Sequence, residues 1–177
     1  QSVTANDALD VIPGKRGRFI LHVCNADGTP IRPLVRDEEL RNKFDRQGTP
    51  DISADGTRVV FDAWKNTGKF DWQEARVIVV NFDGTGAIDA GDGVMPCFSP
   101  DGTQICYSRP PKYGEKQGAK GMSIWVMDVD GSNKRMIADR GAWGARWCAE
   151  GDLIAFHNGT DENEQPVPGT VLRLHDL

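Results

Sequence analysis

The stretch "FSPDGTQICYS", Phe98 to Ser108, sets an aromatic and a turn against a short alternating strand. Pro100-Asp101-Gly102 is turn chemistry: Pro presets φ, Asp bonds its own backbone, and Gly accepts a left-handed φ. Ile105 and Tyr107 alternate with Gln104, Cys106 and Ser108, the period of a strand with one face buried. The stretch predicts a tight β-hairpin whose loop holds two residues or three.

The same spelling recurs. "TPDISADGTRVVFD" (49–62), "MPCFSPDGTQICYS" (95–108) and "GARWCAEGDLIAFH" (144–157) each place an apolar residue (Ile52, Phe98, Trp147) before a small one. A turn with an acid and Gly follows, then a strand ending in an aromatic (Phe61, Tyr107, Phe156). A second pattern alternates with the first. "FILHVCNADGTPIRPL", "VIVVNFDGTGAI" and "SIWVMDVDGSNKRMI" each read strand, Asp-Gly turn, strand, and "VLRLHDL" begins a further copy. Phe61 and Tyr107 lie 46 positions apart, Tyr107 and Phe156 lie 49 apart, and Gly84 and Gly131 lie 47 apart. A period in the forties carrying four strands is that of a β-propeller blade.

These residues, above all "PCFSPDGTQICYS…SIWVMDVDGSNKRMI", resemble the repeats of the TolB-like β-propeller family, relatives of the WD-type repeats. The likeness runs over roughly residues 18–177 and weakens in the last module, where Ala149-Glu150-Gly151 replaces Pro-Asp-Gly. It implies an all-β partial propeller of about three four-stranded antiparallel blades plus a half-blade. It also implies a bacterial protein in the periplasm or secreted. Its members include non-catalytic binding proteins, and propeller domains appended to peptidases, lyases and multihaem proteins; fold alone does not choose between them.

The expected layout is an N-terminal arm (1–17), a half-blade (18–35), a linker (36–48), blades at 49–90 and 95–138, and an incomplete blade at 145–177. In the linker "RDEELRNKFDRQG", Leu40 and Phe44 stand at i and i+4, so a short helix is expected. Thirteen strands, about three and a quarter blades, fall short of a closed ring of roughly four to eight. The ring would be completed by further blades of the same polypeptide or by association of copies, the first being favoured because the repeat stops midway at Leu177.

Composition narrows the partners. A chain of 177 residues with 20 Gly and 10 Pro supports one turn-rich domain. Its net charge of −5 opposes nucleic-acid binding, which needs a basic face. Mean hydropathy is −0.48, and no apolar run reaches the roughly 18 residues of a membrane span. Cys24, Cys97, Cys106 and Cys148 form no C-x-x-C pair. Cys97 and Cys106 lie on the two arms of one hairpin, either bridged or as two small buried thiols.

The Asp-Gly turns close one end of the blades. At the other end lie long loops, 62–75, 108–122 and 157–170, carrying Trp64, Phe70, Trp72 and Tyr113 among charged residues that include Lys112. Aromatics on loops held by a rigid scaffold suit a protein-binding surface; the alternative is that they fold back over blade edges. With His157, at the mouth of the same end, these six residues are the candidate partner-binding set.

No catalytic residue, cofactor or metal is expected. His22 and His175 read as structural. Asp161, Glu162 and Glu164 near His157 match no metal spacing. "DAGDG" (89–93) and "DVDG" (128–131) lack the frame of a calcium loop. No nucleophile elbow, P-loop or dinucleotide fingerprint is present. The expected function is a non-catalytic protein–protein interaction or scaffold module within a larger propeller or complex. The alternative is a propeller domain that scaffolds or gates an active site elsewhere in a larger enzyme. Trp125 and Trp147 are expected in the core.

Overall fold

A computed structural model of the chain describes residues 17–67, 72–111, 121–138, 141–157 and the strand at 172–173. Among these, thirteen strands form four antiparallel sheets. The first is a two-stranded ribbon, β1 (His22–Val23) with β2 (Arg32–Pro33). The second runs in order β3 (Arg46–Ile52), β4 (Arg58–Trp64), β5 (Arg76–Asn81) and β6 (Ile88–Asp92). The third repeats it with β7 (Val94–Phe98), β8 (Gln104–Arg109), β9 (Ser123–Asp128) and β10 (Arg135–Ala138). The fourth contributes β11 (Trp143–Trp147), β12 (Leu153–His157) and β13 (Leu172–Arg173).

The pleat decides which sheet each side chain meets. On β4, Val59, Phe61 and Ala63 pack toward the first sheet with Ile78 and Val80 of β5. Their neighbours Val60, Val77 and Val79 face the third sheet, against Phe98, Ile105, Tyr107 and Met127. The other face of the third sheet, with Cys97, Cys106, Ile124 and Val126, packs on Ala145 and Ile154 of the fourth. Sheets buried on both faces explain why "VVF" and "VIVV" read as continuous apolar runs rather than as an alternation. Removing one fully buried aromatic such as Phe61 costs about 3–5 kcal/mol. Trp125 and Trp147 differ from the expectation: both are half-buried and rest on the margins of their clusters. Trp125 keeps its indole N–H on the Ser123 hydroxyl at 2.8 Å, so the ring sits where its polar edge is satisfied.

The hairpin at 98–108 forms with a longer loop than expected. Ser99 N–H donates to Gln104 O at 2.9 Å, leaving four residues between them, and Gly102 N–H closes the turn on Ser99 O at 2.9 Å. The extra length comes from side-chain bonding. Asp101 Oδ1 accepts the backbone N–H and hydroxyl of Thr103 and the hydroxyl of Ser99. Asp27-Thr29, Asp55-Thr57, Asp83-Thr85 and Asp130-Ser132 repeat the Asp bond to the residue two ahead. The repeated D-G-[T/S] spelling is thus a repeated carboxylate-braced turn.

The outer turns also join neighbouring sheets. Gly84 and Gly131 have φ of 91° and 85°. A Cβ at Gly84 would stand 2.2 Å from Leu34 O, and one at Gly131 would stand 2.6 Å from Ala90 O. Only glycine permits both the left-handed backbone and this approach. Each inner strand carries a bulge at one equivalent position, Thr49 (φ 39°), Met95 (φ 53°) and Gly144 (φ 68°), where the pairing register shifts.

The linker folds as expected into α1 (Glu38–Lys43), capped by Asp37, whose carboxylate accepts Leu40 N–H at 3.1 Å. Leu40 and Phe44 seat it on the first cluster. Residues ahead of β1 also bond to β3: Gln47 N–H donates to Phe19 O at 2.8 Å, in a parallel bridge with Arg46.

Candidate functional site

The end of the sheets opposite the Asp-Gly turns gathers the last residues of β4, β8 and β12 with the first residues of β3, β7 and β11. Antiparallel register puts Arg46 opposite Trp64 and Trp143 opposite His157. The Trp143 and His157 rings stack with centroids 4.6 Å apart and planes 22° from parallel. His157 is exposed and Trp143 is 42% exposed, the larger part of an aromatic platform in solvent. Gly144 makes room for it, since a Cβ there would stand 3.1 Å from His157 Cδ2.

Of the six residues singled out from sequence, Trp64 and His157 are at this end, on the second and fourth sheets. Trp64 is half-buried. Trp72 opens a short 3-10 turn, Trp72–Glu74, that leads into β5. Phe70, Lys112 and Tyr113 lie outside the described residues, as do residues 1–16 of the expected arm (1–17) and the acidic loop after His157. Sequence reasoning missed Trp143. The repeat alignment contained the signal, because Trp143 falls at the position of Gly48 and Val94 in the other inner strands, at the loop-side end.

Arg146 is exposed on β11 and donates to Ala145 O at 2.9 Å. Beneath this end, Asp62 is 1% exposed. Burial pushes its carboxyl above the ordinary value, against bonds from Met95 N–H and the Thr49 hydroxyl that favour the charged form. The Cys97 and Cys106 thiols are free, buried and directly paired across β7 and β8. Burial pushes Cys106 well up, whereas the hydrogen bond from Cys106 lowers Cys97. Asp128 Oδ2 accepts Asn133 Nδ2–H at 2.6 Å, and Asp89 and Asp92 pair with Arg76, so both calcium-like fragments serve local structure. His22 is exposed, with Nδ1 3.1 Å from Ile20 O. Among the described residues, no cluster of three or more His, Cys, Asp and Glu side chains is placed to hold a metal.

TolB from Acinetobacter baumannii is similar in structure over 89% of this chain and 38% of its own, at 15% identity and a TM-score of 0.55. The fold is a TolB-like β-propeller. Oligogalacturonate lyase from Vibrio parahaemolyticus matches this propeller over 78% of the chain and 41% of the lyase (16% identity, TM-score 0.58). The β-propeller domain of the Trilobed protease from Pyrococcus furiosus matches over 72% of the chain and 43% of that domain (16% identity, TM-score 0.51). The chain spans about two fifths of these structures. No family model matches it, and no curated protein matches it in sequence. The four sheets are therefore propeller blades, three of them with three or four described strands and one a two-stranded half-blade, as expected for a partial propeller.

Proposed function

We propose that this chain is a non-catalytic interaction or scaffold module whose blades contribute to a larger propeller or complex and bind a protein partner at the loop-side end. The Trp143–His157 stack carries the reading. A large aromatic held half in solvent by a rigid sheet, with a second ring behind it, has the character of an interface anchor. The TolB-like fold supports a place in the periplasm or outside the cell. No helix among the described residues is long and apolar enough to cross a membrane.

A second reading, a propeller domain that scaffolds or gates an enzyme, is favoured by the likeness to oligogalacturonate lyase and to the Trilobed protease propeller. One experiment separates the two. A photo-crosslinking amino acid replaces Trp143 in the native polypeptide inside its host cells, and adducts are identified by mass spectrometry. A single adduct to a separate polypeptide, lost when His157 is also changed to Ala, supports the interaction module. Adducts confined to a catalytic domain of the same polypeptide support the second reading. Absence of any adduct overturns the binding role of this end.

A further inference from the structure

Arg58 and Gln104 hold one place in successive blades: Ser53 N–H donates to Arg58 O and Ser99 N–H to Gln104 O, each closing an inner turn. Their side chains differ in reach. The Arg58 guanidinium crosses to the third blade, where Nη2–H donates to Gly102 O at 2.8 Å and Cζ lies over the Phe98 ring at 5.7 Å from its centroid. Asp55, beside it in the second blade, is within electrostatic reach. Gln104 is shorter and stays in its own blade, with Nε2–H donating to Asp128 Oδ1 at 3.3 Å.

The junction of the third and fourth blades therefore has the same seat with a glutamine in place of the arginine. Trp147 and Gly151 stand where Phe98 and Gly102 stand one blade earlier, and Asp101 stands where Asp55 stands. Over this seat is a cleft of about 230 Å³ whose lining includes Asp101, Gln104, Trp147, Glu150 and Gly151. That volume is below the roughly 300–1,000 Å³ of small-molecule sites and suits a single head group. Phe98, beneath Arg58, is 5% exposed, whereas Trp147 stays half-buried. Tryptophan also offers a cation a better face than phenylalanine does. Asp101 is held below the ordinary carboxylate value by the Ser99 hydroxyl and by the Thr103 backbone and hydroxyl, so it stands ionised. Glu150 adds an exposed carboxylate, and among the described residues none that lines the cleft is basic. A planar cation fits the ring face, the carboxylates and the turn backbone together, as Arg58 does one blade earlier.

We infer that the cleft between the third and fourth blades is a binding site for a guanidinium group, laid over the Trp147 ring and matched by Asp101 and Glu150. It lies at the turn end of the blades, away from the Trp143–His157 stack, and does not rest on the partner-binding reading.

The test is an NMR titration of the whole chain with N-acetyl-L-arginine N-methylamide, with free L-arginine and with N-acetyl-L-lysine N-methylamide, against sodium chloride at matched ionic strength. The Trp147 indole N–H resonance is the reporter. A saturable shift is expected with arginine and none with sodium chloride. The lysine compound should bind severalfold more weakly, because an ammonium has no flat face to lay on the ring. Tighter binding of the blocked arginine assigns the group to an arginine within a chain, and tighter binding of L-arginine assigns it to the free amino acid. Glu150→Gln should weaken binding about threefold to fivefold, the scale of an exposed ion pair. Gln104→Arg should fill the cleft from within, abolish the saturable shift and melt no lower than the parent. Lack of saturation with both arginine compounds, equal binding of lysine, or a saturable shift left unchanged by Gln104→Arg would overturn the site. So would a Gln104→Arg chain that fails to fold, because the cleft would then have no room for the group.

Discussion

Asp62 and Met95 join two blades: Asp62 Oδ2 accepts the Met95 backbone N–H at 2.8 Å, from β4 of one sheet to the bulge of β7 in the next. The next pair repeats it, Ser108 Oγ accepting Gly144 N–H at 2.8 Å. A second rung lies along the same strands. Asp51 Oδ2 accepts Phe98 N–H at 2.8 Å, and Cys97 stands in Asp51's place one blade on. At Met95 and Gly144 the left-handed bulge turns the inner-strand N–H out of its own ladder, and a polar side chain of the preceding blade collects it. In the fourth sheet the equivalent positions are Arg146 and His157. Arginine has no acceptor, so this ladder of staples changes character there.

Asp62→Ala should therefore destabilise by about 2–4 kcal/mol, since it strips the acceptor from both Met95 N–H and the Thr49 hydroxyl in a buried place. Ser108→Ala removes one such bond and should cost less, about 1–2 kcal/mol. Urea unfolding followed by tryptophan fluorescence measures both. Equal losses would show that the staples do not carry the difference.

Acid should unfold the protein through its turns. Asp55 is held down to about 2 by the Ser53 hydroxyl and the Thr57 backbone and hydroxyl, and Asp27, Asp83, Asp101 and Asp130 are lowered by bonds of the same kind. Groups depressed in the folded state contribute stability above their ordinary value of 3.8, and that contribution is lost as pH falls through the folded value. Asp62 has the opposite sign: its raised value makes its contribution fall as pH rises above 3.8. Urea midpoints measured from pH 5 down to about 2 should decline in the parent. They should decline less in Asp55→Asn and more in Asp62→Asn.

Gly131→Ala should be far more damaging than Gly56→Ala. Both have positive φ, and a left-handed alanine costs roughly 1–2 kcal/mol. Open space surrounds Gly56, but the Ala90 backbone blocks a side chain at Gly131. Melting temperatures that fall equally would mean the outer turn yields freely, and would remove it as a contact between blades.

Cysteine reactivity should follow burial. Cys24 is exposed and should alkylate first in the native protein, whereas Cys106 should resist until the chain unfolds. Mass spectrometry after a timed iodoacetamide pulse reads the order. Early labelling of Cys106 would show that the third blade opens locally.

Local chemistry alone determined the blades. Turn residues and apolar runs act within a few positions, so Asp-Gly turns, strand periods and the short linker helix marked by Leu40 and Phe44 were legible without knowing what packs on what. The thirteen strands were countable for the same reason. Only the tertiary structure decided which tryptophans are buried, because Trp125 and Trp147 lie on strands at the edges of sheet-to-sheet contacts that the repeat does not describe. It alone brought Trp143 onto His157, through a register set by the Gly144 bulge. It alone put Asp101 and Gln104 around one cleft with Trp147 and Glu150 of the neighbouring blade. Such groups meet across sheets at separations where sequence spacing carries no geometric information. Position there depends on how two sheets twist and stack, which is a property of the packed whole.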